Sequence, residues 1–404
     1  MSAYDAIIVG AGPAGSTLAS HLAKRHFRVL LLDRAAFPRD KACGEYTSPE
    51  TERVLERLGA LDMVLKAGAR RLPSMRGISP AGAVFSMDYS APGDVCGPHI
   101  LATPRRVLDA TLVDYARRCG VEVRERERVE AVIMRDGKAS GVLARRGSGG
   151  AEELQARLVV GADGVHSVVV RSLGLSAPLR WPQNLGMVAH YSGYRGLDDW
   201  GEMHVSTRGY AGLAPLSGGL LNVGLVTPMK RAKADNGESA AERFEGFANS
   251  FPGVAKVLHG AERVSKVRGV GPIGARVSRT SGPGYLLVGD AAGFFDPFTG
   301  EGVYKALRGA ELAAEVATRA LERGDLSARS LAAYDKKRRR EFWAKDAFCR
   351  LIQVFVTVPP LMNYAAVRLV KREGVRTTMA GVLGDFTDAR AALSPLYLWS
   401  LLKP

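Results

Sequence analysis

The sequence predicts an α/β protein in three parts: a domain of alternating strands and helices, an antiparallel sheet set against it, and a helical C-terminal region. Three observations carry that reading. An apolar, β-branched run near the N-terminus ends in a glycine-rich turn that opens a helical pattern. Two later apolar runs, near residues 160 and 290, also break at Gly/Asp turns. Between these lie segments richer in Gly, Tyr and alternating residues, which suit an antiparallel sheet. The alternating domain is expected over residues 1–60, 98–180 and 270–320, the second sheet over 61–97 and 181–269, and helices over 321–404. A chain of 404 residues has room for such parts at roughly 150 residues per domain.

Composition excludes several classes. Apolar residues make up 46% and charged residues 24%, so burial can offset the entropy of ordering and the chain is not disordered. Glycine is frequent without a Gly-X-Y period, which excludes collagen. Lys plus Arg total 56 against 41 Asp plus Glu, a formal charge of +15. That balance favours phosphate-bearing partners such as a diphosphate or an anionic membrane face, and equally fits a solvated basic surface. Nucleic acid is not expected, because no zinc-finger, homeodomain or RNA-binding sheet motif is present. Cys43, Cys96, Cys119 and Cys349 are too dispersed for a disulfide framework or a metal site, and the histidines show no paired spacing, so no metal is expected. Met1–Asp5 lacks a signal-peptide pattern, and a cytoplasmic protein is expected.

The first element is Asp5-Ala-Ile-Ile-Val9, a buried parallel strand by composition. It ends in Gly10-Ala11-Gly12-Pro13-Ala14-Gly15, with a helical pattern through Leu18, Leu22 and Ala23. A second strand, Val29–Leu32, closes with Asp33 and Arg34; Asp33 lies 18 positions past Gly15, close to the roughly 20 of a ribose-binding carboxylate. Gly10 makes the tight turn, Gly12 lets backbone approach a pyrophosphate, and Gly15 lets helix pack on strand. The helix N-terminus supplies amide donors to the phosphates. This is a Rossmann-type dinucleotide site, and by itself it leaves FAD and NAD open.

The second junction is Leu158-Val-Val-Gly161-Ala162-Asp163-Gly164. The third is Tyr285-Leu-Leu-Val-Gly289-Asp290, followed by the loop Pro297-Phe-Thr-Gly300-Glu301-Gly302 and a helix from Val303. In order, the three motifs resemble those of glutathione-reductase-like FAD proteins of the p-hydroxybenzoate hydroxylase class. The resemblance covers residues 1–320 and implies a Rossmann-type FAD-binding domain with an antiparallel-sheet substrate domain. It places Arg105 at the FAD phosphate and ribose region and Val129 where adenine meets backbone. Asp163, Gly164, Gly289, Asp290, Gly300, Glu301, Gly302 and Val303 complete the expected cofactor-binding set with Gly10, Gly12, Pro13, Ala14, Gly15, Asp33, Arg34, Cys43 and Gly44.

Phe37-Pro-Arg-Asp-Lys41-Ala-Cys43-Gly44-Glu45-Tyr46 and the Gly300-Glu301-Gly302 loop look like segments of the geranylgeranyl reductase family. That resemblance implies reduction of C=C bonds in a polyprenyl lipid or prenylated quinone, with hydride from reduced flavin N5. Tyr210-Ala-Gly212-Leu-Ala214-Pro215 departs from the family's Tyr-x-Trp-x-Phe-Pro, with Gly212 and Ala214 in place of two aromatics. The alternatives are a flavin monooxygenase hydroxylating a hydrophobic or aromatic substrate, and an electron-carrying flavoprotein docking an acidic partner. A halogenase is disfavoured, since Trp-x-Trp-x-Ile-Pro is absent. NAD(P)H or another donor is expected to reduce the flavin, although no second GxGxxG with its strand is visible.

A C=C reductase needs a proton donor near the ring, and the candidates are Cys43, Glu45 and Tyr210. Cys43 follows Lys41, a cation able to lower a thiol's pKa, and also fits a small buried hydrophobe. Glu45 also suits a helix start ahead of Ser48-Pro49-Glu50, and Tyr210 a packed strand aromatic. Near the C-terminus, Lys336-Lys-Arg-Arg-Arg340 precedes an uncharged run from Leu351 to Val367, interrupted by Pro359-Pro360. The run is too short for a transmembrane span. It fits a helical hairpin packed on the first domain or a peripheral membrane contact, which a prenyl-lipid substrate favours.

Overall fold

The computed structural model describes residues 4–90, 97–179, 181–231 and 237–403; Cys96 lies outside them. The first sheet runs in the order Ser281–Gly282, Tyr285–Leu287, Ala151–Gly161, Tyr4–Val9, Val29–Asp33 and Glu122–Glu125. Tyr4–Val9 is central and parallel to both neighbours, with Ile8 beside Val160 and Leu31. Alternate side chains feed two cores. Ala6, Ile8, Leu31 and Val160 pack under helices Pro13–Ala23, Arg105–Arg118 and Gly302–Arg323. Ile7, Val9, Leu30 and Leu32 pack with Val129, Val132 and Val142 of the hairpin Glu127–Arg135 and Lys138–Arg146. Burial on both faces explains why these strands read as continuous apolar runs.

The second sheet runs in the order Glu262–Arg263, Asn184–Ser192, Leu220–Pro228, Gly209–Pro215, Trp200–Ser206, Ser74–Ile78 and Val84–Asp88, with Arg268–Ile273 also on Asn184–Ser192. It is antiparallel except where Trp200–Ser206 runs parallel to Ser74–Ile78. One face packs Ala211, Leu213, Val223 and Leu225 on Phe244 and Phe247 of helix Ala240–Asn249. By the period of two, Tyr210, Gly212, Asn222 and Gly224 point to the opposite face, toward the first domain. The segment 61–97 divides: helix Leu61–Lys66 packs with the first core through Val64, Arg70–Leu72 pairs with Ile100–Ala102 in a separate ribbon, and Ser74–Ile78 and Val84–Asp88 join the second sheet.

Past the first domain come helices Ala328–Thr357, Pro359–Lys371, Glu373–Leu383 and Pro395–Leu402, which pack on the second sheet through Phe348, Met362, Met379 and Tyr397. Pro359 ends the uncharged run's first helix and starts the next, as a residue without an amide donor suits a first turn. The basic run lies on the early turns of Ala328–Thr357, where Lys337 pairs with Glu315 and Arg338 covers the Phe342 ring. Among the described residues, no helix is long and apolar enough to cross a membrane.

Candidate active site

The glycine turn is fixed by contact. Gly10 has φ +103°, and a Cβ there would lie 2.5 Å from the Ala162 carbonyl oxygen. A Cβ on Gly15 would lie 1.9 Å from the Gly10 oxygen. Gly12 differs: its Cβ would meet only an Arg39 nitrogen at 3.8 Å, which leaves a cradle beside the helix start. Asp33 accepts from the Ala11 and Ala35 amides, both at 2.9 Å. Asp163 accepts from the Val168 amide at 2.7 Å, while its Oδ1 is buried without a hydrogen-bond partner among the described residues. Burial pushes the Asp163 carboxyl up. Gly10, Asp33, Arg34, Val129, Asp163 and Gly164 line one cavity of about 960 Å³. An open glycine cradle and a donor-seeking carboxylate fit the adenosine diphosphate half of FAD.

A cationic collar joins this cavity to a second. Arg105, in the first turn of its helix, makes a two-pronged pair with Asp109 at 2.8 Å on each prong. Buried Asp109 also takes Arg39 at 3.1 Å, so two guanidinium groups share one carboxylate, and Lys41 lies 3.8 Å from Asp290. Arg39 and Asp109 were missed from sequence, because Asp109 reads as an ordinary helical residue until the fold brings Arg39 to it.

The second cavity, about 220 Å³, lies between the two sheets. Pro13, Ala14, Cys43, Gly44, Arg105, Gly164, Gly289, Asp290, Gly300, Gly302 and Val303 all contribute to it from the first domain, as do Tyr210, Gly212 and Gly224 from the second sheet. Gly289 (φ +59°) lets this turn pass Ala14, since a Cβ would sit 2.9 Å from that methyl. Glu301 turns the other way. It is buried among the C-terminal helices, paired with Lys305, and accepts from the Cys349 thiol at 3.2 Å. Its place is that of an anchor for the loop rather than a wall of the cavity.

The proton-donor candidates separate by position. Cys43 faces the cavity, its sulfur beside the Arg105 guanidinium and accepting from the Glu45 amide at 3.4 Å. Glu45 is 5% exposed and in the left-handed region at φ +54°. One of its oxygens accepts from the Arg105 amide at 2.8 Å, and the other meets His190 Nε2 at 2.6 Å. It therefore caps a helix and ties the Lys41–Glu45 turn to the second sheet. The Tyr210 phenol donates to Asp296 Oδ1 at 2.6 Å, and burial together with that carboxylate holds it well above the usual tyrosine range. Asp296 also accepts from Phe298 N, Asn184 Nδ2 and Gln353 Nε2 at 3.0, 3.0 and 3.2 Å. Sequence reasoning missed Asp296, together with Glu202, a cavity carboxylate held by His204 and the Trp200 indole.

A third cavity, about 80 Å³, continues between the second sheet and the C-terminal helices. It shares Tyr46, Met75, Met203 and Phe298 with the central one and is otherwise lined almost wholly by apolar groups, among them Phe85, Met362 and Leu401. Five methionines, Met75, Met87, Met203, Met362 and Met379, give it adaptable walls.

A family model described as an FAD binding domain matches residues 3–347. With the turns and cavities above, this makes the chain an FAD-dependent oxidoreductase, and FAD is its cofactor. A digeranylgeranylglycerophospholipid reductase of Methanosarcina acetivorans is 31% identical over 86% of this chain and 83% of its own. A menaquinone reductase of Mycolicibacterium smegmatis is 29% identical over 78% and 76%. The chain belongs to the geranylgeranyl reductase family of FAD-dependent oxidoreductases. Among solved structures, a flavin-dependent brominase matches with a TM-score of 0.84 at 21% identity, covering 98% of both chains. A geranylgeranyl bacteriochlorophyll reductase-like protein from Thermoplasma acidophilum matches at 0.76 and 22%, covering 99% and 96%. Likeness at those identities is likeness of fold.

Proposed function

We propose that the protein reduces C=C bonds of a polyprenyl lipid or prenylated quinone. The observation that carries this is the shared wall of Tyr46, Met75, Met203 and Phe298, which joins the flavin-side cavity to an apolar one. A flat polar aromatic needs a closed pocket with matched donors, whereas an isoprene chain needs a hydrocarbon channel leading past the reacting site. The relatives named for prenyl-lipid and menaquinone reduction support the same substrate class.

Reduced FAD, when bound, supplies the hydride, and a proton must reach the other alkene carbon. Cys43 gives that proton, since its thiol lines the cavity beside the Arg105 guanidinium and, unlike the Tyr210 phenol, is not committed to a carboxylate. The adjacent Arg105 guanidinium balances the negative charge left on sulfur, and solvent later returns the proton. Tyr210 and Glu45 act as positioning residues, through Asp296 and through Arg105 and His190. Bare backbone at Gly212 and Gly224, paired across adjacent strands, gives the chain a flat wall to lie along.

Cys43→Ala should retain FAD yet slow anaerobic turnover of a prenyl substrate by about 10² or more, the scale of a lost general acid. Oxidation of the reduced flavin by an artificial acceptor should be unchanged. Prenyl reduction at the wild-type rate would remove Cys43 from the chemistry.

A further inference from the structure

We propose that the outer face of helix Pro395–Leu402 docks on an anionic lipid bilayer and sets the apolar cavity against the membrane. The inference rests on the reading of that cavity as a prenyl-chain site. Seven of the helix's eight residues are nonpolar or aromatic, with Ser400 the exception. Tyr397, Leu398 and Leu401 line the cavity. Leu396, Trp399 and Leu402, three apart and so on neighbouring turns of the other side, are 76%, 65% and 44% exposed. One exposed leucine is ordinary, but a row of large apolar groups on a helix that already buries its inner face marks a contact surface.

The charges around the helix select the partner. Arg368 donates to the Lys403 carbonyl at 3.2 Å, and Arg372 donates to the Ser400 and Lys403 carbonyls. These guanidinium groups satisfy the helix's last carbonyls and concentrate positive charge at its end, with Lys403 beside them. Residues 359–403 hold six basic groups (Arg368, Lys371, Arg372, Arg376, Arg390 and Lys403) and three acidic ones, of which Asp385 is paired with buried Lys345. A second copy would bring the same cations face to face, which disfavours self-association here. An anionic bilayer offers what the face lacks: phosphates for the cations, an interface for the Trp399 ring, and hydrocarbon for Leu396 and Leu402. The same short helix lines the cavity with its inner face, so its outer face sets the cavity beside the bilayer.

The test uses the FAD-loaded full chain and vesicles of phosphatidylcholine with or without phosphatidylglycerol, and reads co-sedimentation. Wild type should bind the phosphatidylglycerol vesicles, less so as salt rises, and Leu396→Ser with Trp399→Ser should bind at least about tenfold more weakly. Both side chains face outward, so flavin content and thermal midpoint should hold. If that variant loses its flavin, Lys371→Glu with Lys403→Glu carries the same expectation. Wild-type binding by both variants, or no vesicle binding by wild type, overturns the proposal. Binding is read without turnover, so vesicle binding without prenyl reduction would leave the surface standing and remove the substrate reading. Reduction of a dissolved short prenyl alcohol without vesicle binding would do the reverse.

Discussion

Gly212 and Gly224 stand in register on adjacent strands and leave backbone where most sheet positions would present a side chain. A Cβ on Gly212 would have Met203 Cε as its nearest neighbour at 3.5 Å, so the space beyond it is cavity. Gly212→Phe should therefore keep FAD and raise KM for a prenyl substrate at least about tenfold, the equivalent of 1.4 kcal/mol of lost binding. Steady-state kinetics and flavin absorbance check this, and an unchanged KM would place the substrate elsewhere. At this scale, the residues legible in the sequence are those set by local turn geometry: Gly10, Gly12, Gly15 and Asp33 announce themselves by spacing alone. Glu45 shows the opposite case. It reads as a catalytic acid or a helix start, and its carboxylate does serve a helix start, but that of Arg105, 60 positions away. No local pattern encodes such a partner.

The loop Pro297–Gly302 is held at its entrance by Asp296, which collects donors from two strands of the second sheet, from helix Ala328–Thr357 and from its own loop. The hub joins the flavin-side loop, the second sheet and the C-terminal helices in one buried network. Asp296→Ala leaves the Tyr210, Asn184 and Gln353 donors unpaired, each at a cost of about 1–3 kcal/mol, though the losses overlap. A destabilisation of about 3 kcal/mol in denaturant unfolding is expected, with Asp296→Asn milder; a change below about 0.5 kcal/mol would contradict the hub. Strand–turn–helix units are legible because their pattern lies within a few residues. The hub is not, since Asp296 and Tyr210 are 86 positions apart and Asp296 and Asn184 are 112 apart. The parallel pairing of Trp200–Ser206 with Ser74–Ile78 is hidden for the same reason, as strand order is a property of the assembled sheet.

Across the whole molecule, three cavities follow one another: a polar one along the first sheet's strand ends, a central one between the sheets, and an apolar one under the C-terminal helices. The first was readable from the glycine motifs. The last was not, because its walls come from single Met, Phe and Leu side chains on segments from Tyr46 to Leu401, none of which departs from an ordinary core pattern. The basic run Lys336–Arg340 and the uncharged run after it stand out in the sequence, yet Lys337 of the basic run pairs with Glu315 of helix Gly302–Arg323, and the exposed row of Leu396, Trp399 and Leu402 lies on Pro395–Leu402. On the proposed function, this succession of cavities takes a hydrocarbon chain past the flavin for reduction. Mass spectrometry of a prenyl-lipid mixture after incubation with chemically reduced enzyme, with and without air, tests that. Products heavier by pairs of hydrogen atoms, formed without air, are the predicted result. Products that gain an oxygen atom, and only in air, would contradict it and make the protein a monooxygenase.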